Sequence, residues 1–143
     1  LASEIKRYLK GKECRVYAAP FDVRIPKKSN DTDDKILTVV QPDICVICDI
    51  KKLDEAGCKG APDLIVEILS ASTAKKDVEN KFDLYEESGV KEYWIVYPGE
   101  NILEIFELKN DKYESRGKHV GDAIVTSTVL PDFELKLEDV FAD

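Results

Sequence analysis

The sequence lacks several features that define membrane and secreted proteins. No apolar run approaches the roughly 18 residues that a membrane-spanning helix needs. No signal-peptide pattern opens the chain, so we expect a cytoplasmic protein whose four cysteines are reduced thiols. Methionine is absent throughout, and because translation begins with methionine we expect further residues upstream of Leu1. These absences leave a soluble globular protein as the expected class.

Histidine and paired metal-binding motifs are scarce as well. His119 is the only histidine, and it lies in a polar hairpin region where a surface position is expected. Cys45 and Cys48 form a Cys-x-x-Cys pair, but no second pair completes a zinc site. Since residues three apart on a strand point to opposite faces, we predict that these two cysteines are buried, unbridged and share no metal. A zinc or redox protein is therefore the weakest functional hypothesis.

Charge, by contrast, is abundant and unevenly distributed. The 143 residues carry 21 Lys and Arg against 29 Asp and Glu, a net charge of −8. Residues 1–28 have eight basic and three acidic side chains, a net of +5, whereas residues 29–143 have a net of −13. An acidic protein is a poor non-specific binder of nucleic acid, but the basic first fifth could contact DNA locally. A solvated helix face explains these basic residues equally well.

The hydrophobic pattern predicts one α/β domain over residues 1–143. Helical spacing occurs at 1–11 and 74–88, and polar loops are expected at 27–34 and 51–60. Apolar strands on both sides of the second helix indicate a central mixed sheet that is covered on both faces. The predicted strands are 14–26, 36–50 with a break at Pro42, 62–69, 91–99 with a turn, a hairpin around Asn110-Asp111, and one or two short strands near the end of the chain.

The helix at 74–88 has recognisable ends. Ser72 or Thr73 can cap its N-terminus, and Gly89 can end it. Its apolar residues recur at positions i, i+4 and i+7, which marks the face that packs on the sheet: Val78, Phe82 and Tyr85.

One predicted strand carries a carboxylate in an apolar setting. The stretch APDLIVEILS, residues 61–70, is strand-forming and apolar around Glu67. An unpaired buried charge costs on the order of several kcal/mol, so something must compensate it. Asp43 begins the preceding strand, and if the two strands are neighbours the carboxylates of Asp43 and Glu67 could converge. Two carboxylates near backbone carbonyls form a hard-oxygen site suited to Mg²⁺.

A lysine on the following helix is the candidate third member of this site. Lys81 lies at the edge of the buried helix face, from which its long stem can carry the ammonium toward the sheet. Two carboxylates, a metal and a lysine suit phosphodiester hydrolysis, since the metal activates water and cations stabilise charge on the phosphate. A buried ion pair between Glu67 and Lys81 explains the same residues without chemistry, and the spacing alone favours that alternative.

Three further aspartates bear on this site. Asp49 and Asp63 could extend it, although strand ends and turns are the more common places for aspartate. Asp77 precedes Lys81 by four residues, a spacing that supports an ion pair on the helix surface. Such a pair would compete with Glu67 for the lysine.

The longer motifs resemble a known family. QPDICVICD, GAPDLIVEILSASTAKKD and the pattern Lys81-x-x-x-Tyr85-x-x-x-Gly89-Val90-x-Glu92-Tyr93-Trp94 are similar to the Uma-type restriction endonucleases. The resemblance runs from about residue 1 to 140, with 61–98 as its most specific part. That family belongs to the PD-(D/E)XK nuclease superfamily. The resemblance implies a restriction-endonuclease-like α/β fold, with a central mixed sheet flanked by helices and a requirement for Mg²⁺ or Mn²⁺.

Carried over to this sequence, the resemblance assigns metal-binding and catalytic roles. Asp43 matches the PD aspartate and Glu67 the second carboxylate. The superfamily pattern has lysine two residues after that acid, where this chain has Leu69, so Lys81 is the migrated replacement that the resemblance suggests. Family members also usually carry a further N-terminal segment, and we expect that the segment is lacking here.

Two functions from different classes follow. The first is a metal-dependent DNA endonuclease, acting as a homodimer because cutting both strands of a duplex requires two sites. The apolar hairpin strands near 102–108 are its candidate interface. The second is a catalytically degenerate nuclease fold that binds a partner or scaffolds an assembly. The acidic net charge and the missing strand lysine favour the second function, whereas the retained acidic pair favours the first.

Overall fold

The structure is a computed structural model that describes residues 1–26 and 38–141. The polar loop expected at 27–34 lies outside the described residues. Within them, none of the helices has the length and apolar character needed to cross a membrane. The helices are α1 (Ala2–Leu9), α2 (Lys75–Ser88) and α3 (Leu137–Val140). The strands are β1 (Arg15–Ala18), β2 (Val23–Ile25), β3 (Thr38–Val40), β4 (Ile44–Ile47), β5 (Leu53–Asp54), β6 (Gly57–Lys59), β7 (Leu64–Ile68), β8 (Glu92–Tyr97), β9 (Ile102–Lys109), β10 (Lys112–His119), β11 (Ile124–Thr126) and β12 (Glu134–Lys136).

A mixed six-stranded sheet organises the fold, in the order β1-β4-β7-β8-β9-β10. Strands β7 and β8 run parallel and are joined by α2, while the other neighbouring pairs are antiparallel. The strand that carries Glu67, β7, has hydrogen-bonded neighbours on both sides. The prediction of a mixed α/β fold with this strand in the interior of the sheet is confirmed. The β9–β10 turn lies at Asn110 and Asp111, which both have positive φ, as expected for a tight hairpin.

The ends of α2 agree with the sequence at one end and differ at the other. Gly89 ends the helix in the left-handed conformation, with a φ of +86°. At the other end Ala74 precedes the first helical residue, and no side chain caps the helix, so the expected cap at Ser72 or Thr73 was wrong. The hydroxyl of Thr73 is used inside the loop instead, where it accepts a 2.9 Å hydrogen bond from Ser70 N.

A smaller sheet, in the order β3-β2-β6-β5, corrects two predictions. The stretch 14–26 forms two strands rather than one, because the chain leaves the large sheet after Ala18 and enters the small one at Val23. The loop expected at 51–60 contains the β5–β6 hairpin, whose second strand pairs in parallel with β2. Short strands separated by such brief connections do not show a period-2 pattern long enough to read from sequence.

Gly57 allows the small sheet to close at this hairpin. Its φ is +123°, and a Cβ atom there would lie 2.3 Å from the carbonyl oxygen of Asp22. The next residue, Cys58, donates a 2.9 Å backbone hydrogen bond to the same oxygen. The close approach of these two backbones therefore requires glycine.

The large sheet is covered on both faces, and the two cores differ in their partners. One core lies under α1 and the C-terminal segment, and the other lies under α2 and the small sheet. Side chains alternate along β7, so Leu64 and Val66 enter the first core while Ile65 enters the second. Glu67 points the same way as Ile65 and contacts Tyr85 of α2. Helix α2 and the carboxylate therefore share one face of the sheet.

A disulfide joins Cys14 to Cys48, which corrects the expectation that the four cysteines are reduced. In the antiparallel β1–β4 ladder Arg15 lies opposite Ile47, so the next residues outward, the two cysteines, face each other. This pairing depends on a ladder between segments 34 residues apart, which the sequence does not show. Cys45 lies in the α2 core and Cys48 beside the α1 core, without a bond between them, as their spacing predicted.

Candidate active site

Asp43 and Glu67 occupy neighbouring positions at one end of the central strands. Ile44 pairs with Val66 in the β4–β7 ladder, and Asp43 and Glu67 come next to that pair. Asp43 N donates to Glu67 Oε1 at 3.2 Å, and Ile68 N donates to Asp43 Oδ2 at 2.6 Å. Each carboxylate is thus held by a backbone N–H of the strand that carries the other one. These charge-assisted bonds place both acids at the same edge of the sheet.

Glu67 also receives two contacts from α2. Its side chain is almost fully buried, with 5% of its surface exposed. Tyr85 donates its hydroxyl to Glu67 Oε2 at 2.7 Å, and Lys81 Nζ lies 3.2 Å from the same oxygen. Tyr85 is fully buried, whereas 43% of the Lys81 side chain is exposed. Lys81 can therefore turn to solvent or to a ligand while Tyr85 continues to hold the carboxylate.

Burial raises the pKa of Glu67 above its ordinary value, because the charged form loses hydration. The hydrogen bond from Tyr85, the charge of Lys81 and the N–H of Asp43 each oppose that rise without cancelling it. Repulsion between two neighbouring acids would also raise the pKa of one of them. The direction holds for Glu67, but burial is the main cause and the charge of Asp43 is not among the causes.

Tyr85 responds to the same environment. Its burial, followed by the nearby charge of Glu67, raises the pKa of the phenol. The hydroxyl therefore remains protonated and continues to donate to Glu67. The ring of Tyr85 packs edge-on against Tyr93, with centroids 5.1 Å apart, which fixes the direction of the hydroxyl.

A small cavity of about 60 Å³ opens beside the two carboxylates. Lys81 from α2 and Leu69 from the end of β7 both line it, so a helix lysine reaches the space that a strand lysine at position 69 would serve. Asp77 lines the cavity too. Among the described residues, however, it forms no ion pair with Lys81, whose amine lies against Glu67 instead. The expected competition from Asp77 is thus not seen.

The donors at this edge fit a small, hard cation. Asp43 Oδ1 accepts no hydrogen bond from the part of the chain that the structure describes. Mg²⁺ is commonly held by one or two carboxylates, with water and substrate phosphates as its other ligands, so Asp43 and Glu67 are sufficient protein donors. Within residues 1–26 and 38–141, no cluster of three or more acidic, histidine or cysteine side chains could hold a metal. A cation here would depend on ligands from water or substrate.

The other candidates from the sequence do not join this site. Asp63, at the opposite end of β7, accepts a hydrogen bond from Cys48 N at 2.8 Å and pairs with Lys91 at 3.1 Å. Asp49 caps a short 3₁₀ turn. His119 ends β10 and is half-buried, and burial together with the charge of a neighbouring arginine lowers its pKa. None of these three lines the cavity beside Glu67.

Sequence reasoning placed Tyr85 on the buried helix face but missed its contact with Glu67. A signal was present, because Lys81 and Tyr85 are four residues apart and lie on one side of a helix. A helix that brings one of them to the sheet therefore brings the other as well. Tyr85 is the residue that holds Glu67 from within the core.

A second buried carboxylate, Glu92 at the start of β8, was also missed. It is fully buried, and no pattern in its own strand predicts its partners. Its Oε1 accepts hydrogen bonds from a segment 35–37 residues away, at distances of 2.9–3.0 Å: Ser127 Oγ, Thr128 N, Thr128 Oγ1 and Val129 N. Its Oε2 accepts one from Trp94 Nε1 at 2.6 Å. Glu92 anchors the C-terminal segment to the sheet.

The mixed sheet flanked by helices is a restriction-endonuclease-like fold. A solved structure described as a putative nuclease belonging to DUF820, from Anabaena variabilis ATCC 29413, matches it with a TM-score of 0.73. The match covers 98% of this chain and 75% of that chain at 20% sequence identity. At this identity the likeness establishes a shared fold.

The sequence itself establishes the family. Residues 1–138 match the family described as "Uma2: Putative restriction endonuclease", and the chain belongs to that family. This confirms the resemblance found in the motifs. No curated protein matches the chain significantly.

Proposed function

We propose that this protein is an endonuclease that uses Mg²⁺ or Mn²⁺ to hydrolyse phosphodiester bonds in DNA. The observation that carries the proposal is the cluster of Asp43, Glu67 and Lys81 around one small cavity. Folding does not require two carboxylates at neighbouring positions of central strands, since apolar residues there would lose no hydration. Chemistry on a phosphate gives such an arrangement a use.

Each side chain has a distinct role in this proposal. Asp43 and Glu67 would hold the cation, which when bound supplies a Lewis acid and lowers the pKa of coordinated water. Lys81 would turn its exposed ammonium to a non-bridging phosphate oxygen, where negative charge develops. Tyr85 would keep Glu67 Oε2 satisfied and in place when Lys81 leaves it. The positions of the last two residues on one helix allow this division of roles.

We also propose DNA as the partner, a homodimer as the oligomer and the cytoplasm as the location. The basic N-terminal region supports contact with DNA, and cleavage of a duplex supports a homodimer. Residues 102–108, the candidate interface, fall in β9, which is paired on both sides. The free edge on that side of the sheet is β10, so Lys112–His119 is the better candidate for the dimer interface. The cytoplasmic location stays a prediction, which the Cys14–Cys48 disulfide does not favour.

Moving the lysine tests the proposal. Lys81→Leu should lower Mg²⁺-dependent cleavage of plasmid DNA by roughly a hundredfold, as for loss of a transition-state contact. Adding Leu69→Lys to that variant should restore part of the rate, because both positions line the cavity. Lys76→Leu, on the exposed start of the same helix, is the matched control and should cleave like the wild type. A wild type that cuts no DNA with either metal would refute the proposal, as would full activity in Lys81→Leu.

A second candidate function is a degenerate nuclease fold that only binds a partner. One observation favours it: both oxygens of Glu67 are already bonded by protein groups, so the fold is satisfied without a cation. Leu69 at the usual lysine position agrees with it. Calorimetric titration of the protein with Mg²⁺ separates the two functions. Heat of binding that disappears in Asp43→Asn supports the nuclease, and no heat in the wild type supports the binding module.

A further inference from the structure

A groove of about 720 Å³ lies between α1 and β1. Strand β1 is at one edge of the large sheet. The less exposed residues that line the groove are mainly apolar and include Leu9, Val16 and Tyr17. The exposed ones are mainly basic: Lys6, Arg7, Lys10, Lys12 and Arg15. The groove thus combines an apolar, partly aromatic surface with five cations.

These five cations have no acidic partners within the described residues. Lys12 is used at the end of α1, where its amine donates to the carbonyl of Tyr8 at 2.9 Å and lies 4.3 Å from the ring centre. In the part of the chain that the structure describes, the other four are exposed and form no ion pair. On a chain with a net charge of −8, a group of unpaired cations creates a local positive potential that attracts an anionic partner.

The groove opens on the α1 face of the sheet, where Leu9 and Val16 pack, and it reaches the edge strand β1, around which lies the α2 face that carries Glu67. Tyr17 lies opposite Cys45 in the ladder, and Cys45 belongs to the core on the α2 side of the sheet. Tyr17 is therefore on the same face as Glu67. Just beyond the end of β1, Ala19 N donates to the carbonyl oxygen of Asp43 at 2.9 Å. A chain lying along β1 would arrive at the edge of the sheet that holds the acidic pair.

We propose that this groove binds a single-stranded segment of nucleic acid and directs it toward Asp43 and Glu67, an inference that rests on the proposed nuclease function. Cations with aromatic and apolar surface match the two parts of a single strand, its phosphates and its unstacked bases. Bases in a duplex are stacked and paired, so they cannot offer their faces to a side chain. Tyr17 stacks on Phe21, with ring centroids 4.2 Å apart, which holds the ring of Tyr17 at this edge of the sheet.

Binding measured without metal tests the inference separately from cleavage. Fluorescence anisotropy with EDTA would compare a labelled oligothymidine of about 12 nucleotides with its duplex, and the single strand should bind at least about tenfold more tightly. The triple variant Lys6→Ala, Arg7→Ala and Lys10→Ala removes three exposed cations while alanine keeps the helix. It should weaken single-strand binding at least about tenfold and reduce the salt slope by about 2, from roughly 0.7 per phosphate contact.

Two further variants complete the experiment. Lys51→Ala with Lys91→Ala and Lys109→Ala removes the same number of exposed charges outside both the groove and the proposed β10 interface, and should bind like the wild type. Tyr17→Leu keeps apolar contact but removes the ring, so it should weaken single-strand binding by about tenfold without changing the salt slope. Circular dichroism checks that each variant is folded.

Several results would overturn the inference. If the α1 variant bound the single strand as tightly as the control variant does, the groove would have no part in binding. Tighter binding of the duplex would assign the cations to paired DNA. Equal competition by an acidic peptide of the same charge would assign the groove to a protein partner. Single-strand binding in a wild type that cuts no DNA would support the groove while refuting the proposed hydrolysis, so the two failures are distinguishable.

Discussion

At position 67 a carboxylate loses its hydration and receives only partial compensation from its neighbours. Burial raises its pKa despite three favourable contacts. The cation among them, Lys81, is 43% exposed, so removing its partner returns an amine to water rather than leaving it buried. The cost of about 3–5 kcal/mol for breaking a fully buried pair therefore does not apply here.

Glu67→Gln should leave the free energy of unfolding at neutral pH unchanged or raise it by up to about 2 kcal/mol, the usual range when functional strain is relieved. It should also abolish any binding of Mg²⁺. Urea denaturation of the wild type and variant, with and without Mg²⁺, measures both effects. A variant that is several kcal/mol less stable, beside a wild type that is indifferent to Mg²⁺, would make Glu67 a structural residue.

The same comparison depends on pH in a defined direction. The native pKa of Glu67 lies above the ordinary value of 4.5, so between these two values the native state holds a proton that the unfolded state has lost. The contribution of Glu67 to stability therefore falls as pH rises from about 4.5 to its native pKa. Glu67→Gln lacks this loss, and its stability relative to the wild type should increase with pH over that interval. A difference that is constant with pH would contradict the raised pKa.

Tyr85→Phe removes one hydroxyl from Glu67 and keeps the ring packing. Because that hydrogen bond lowers the pKa of Glu67, its loss should raise the pKa further. The pH midpoint for Mg²⁺ binding, measured by calorimetry, should move to a higher value. At a pH where Glu67 is ionised in both proteins, the affinity for Mg²⁺ should fall less than it does near the midpoint. Phe82→Leu on the same helix is a control without a polar group. An unchanged midpoint in Tyr85→Phe would show that Lys81 and the backbone hold the carboxylate alone.

At the scale of elements, Glu92 connects β8 to the segment that precedes β12. Its Oε1 accepts every hydrogen bond from that segment to the carboxylate, from two hydroxyls and two backbone N–H groups. If Glu92 were glutamine, its side-chain nitrogen would be a hydrogen-bond donor placed against other donors. The two buried glutamates should thus respond in opposite ways to the same substitution.

Glu92→Gln should lower the free energy of unfolding by roughly 3 kcal/mol. If the amide oxygen keeps the donors of residues 127–129, the amide nitrogen must face Trp94 Nε1 and Arg116, which then lose their acceptor. Chemical denaturation followed by the fluorescence of Trp94, which contacts Glu92, measures the change. Glu67→Gln is the matched control, being the same substitution at another buried strand position. If both variants kept wild-type stability, the bonds to residues 127–129 would contribute little.

At the scale of the whole molecule, the two edges of the large sheet differ. β1 carries the basic groove on one side, and β10 is a mostly polar strand on the other. An interface along β10 would leave both the groove and the carboxylates accessible in each copy. The two edges are thus suited to different partners.

We expect a dimer by light scattering at micromolar concentration. Replacing Ser115 on β10 by proline should shift the protein toward monomer, because proline cannot donate a hydrogen bond along a strand edge. Ser115 lies next to the irregular part of the β9–β10 pairing, so the damage within the sheet should be limited. A wild type that is monomeric throughout would contradict the dimer and weaken the case for cleavage of duplex DNA.

The sequence by itself determined the long elements and the identity of the acidic pair. A five-residue apolar strand around Glu67 and a fourteen-residue helix ended by Gly89 carry periodic signals that local physics explains. The motifs around Asp43, Glu67 and Lys81 were also recognisable, because each of them is a short continuous stretch of sequence. Local sequence patterns did not predict three features: the exact helix cap, the division of 14–26 into two strands, and the small sheet.

Only the tertiary structure decided which distant groups meet. Glu67 and Tyr85 come together because α2 crosses from β7 to β8 and folds back on the sheet, and Cys14 meets Cys48 because β1 pairs with β4. The pKa of Glu67 was likewise decided by burial under α2 rather than by its neighbours in sequence. Local patterns follow from backbone geometry over a few residues, whereas contacts and hydration depend on packing across the whole chain.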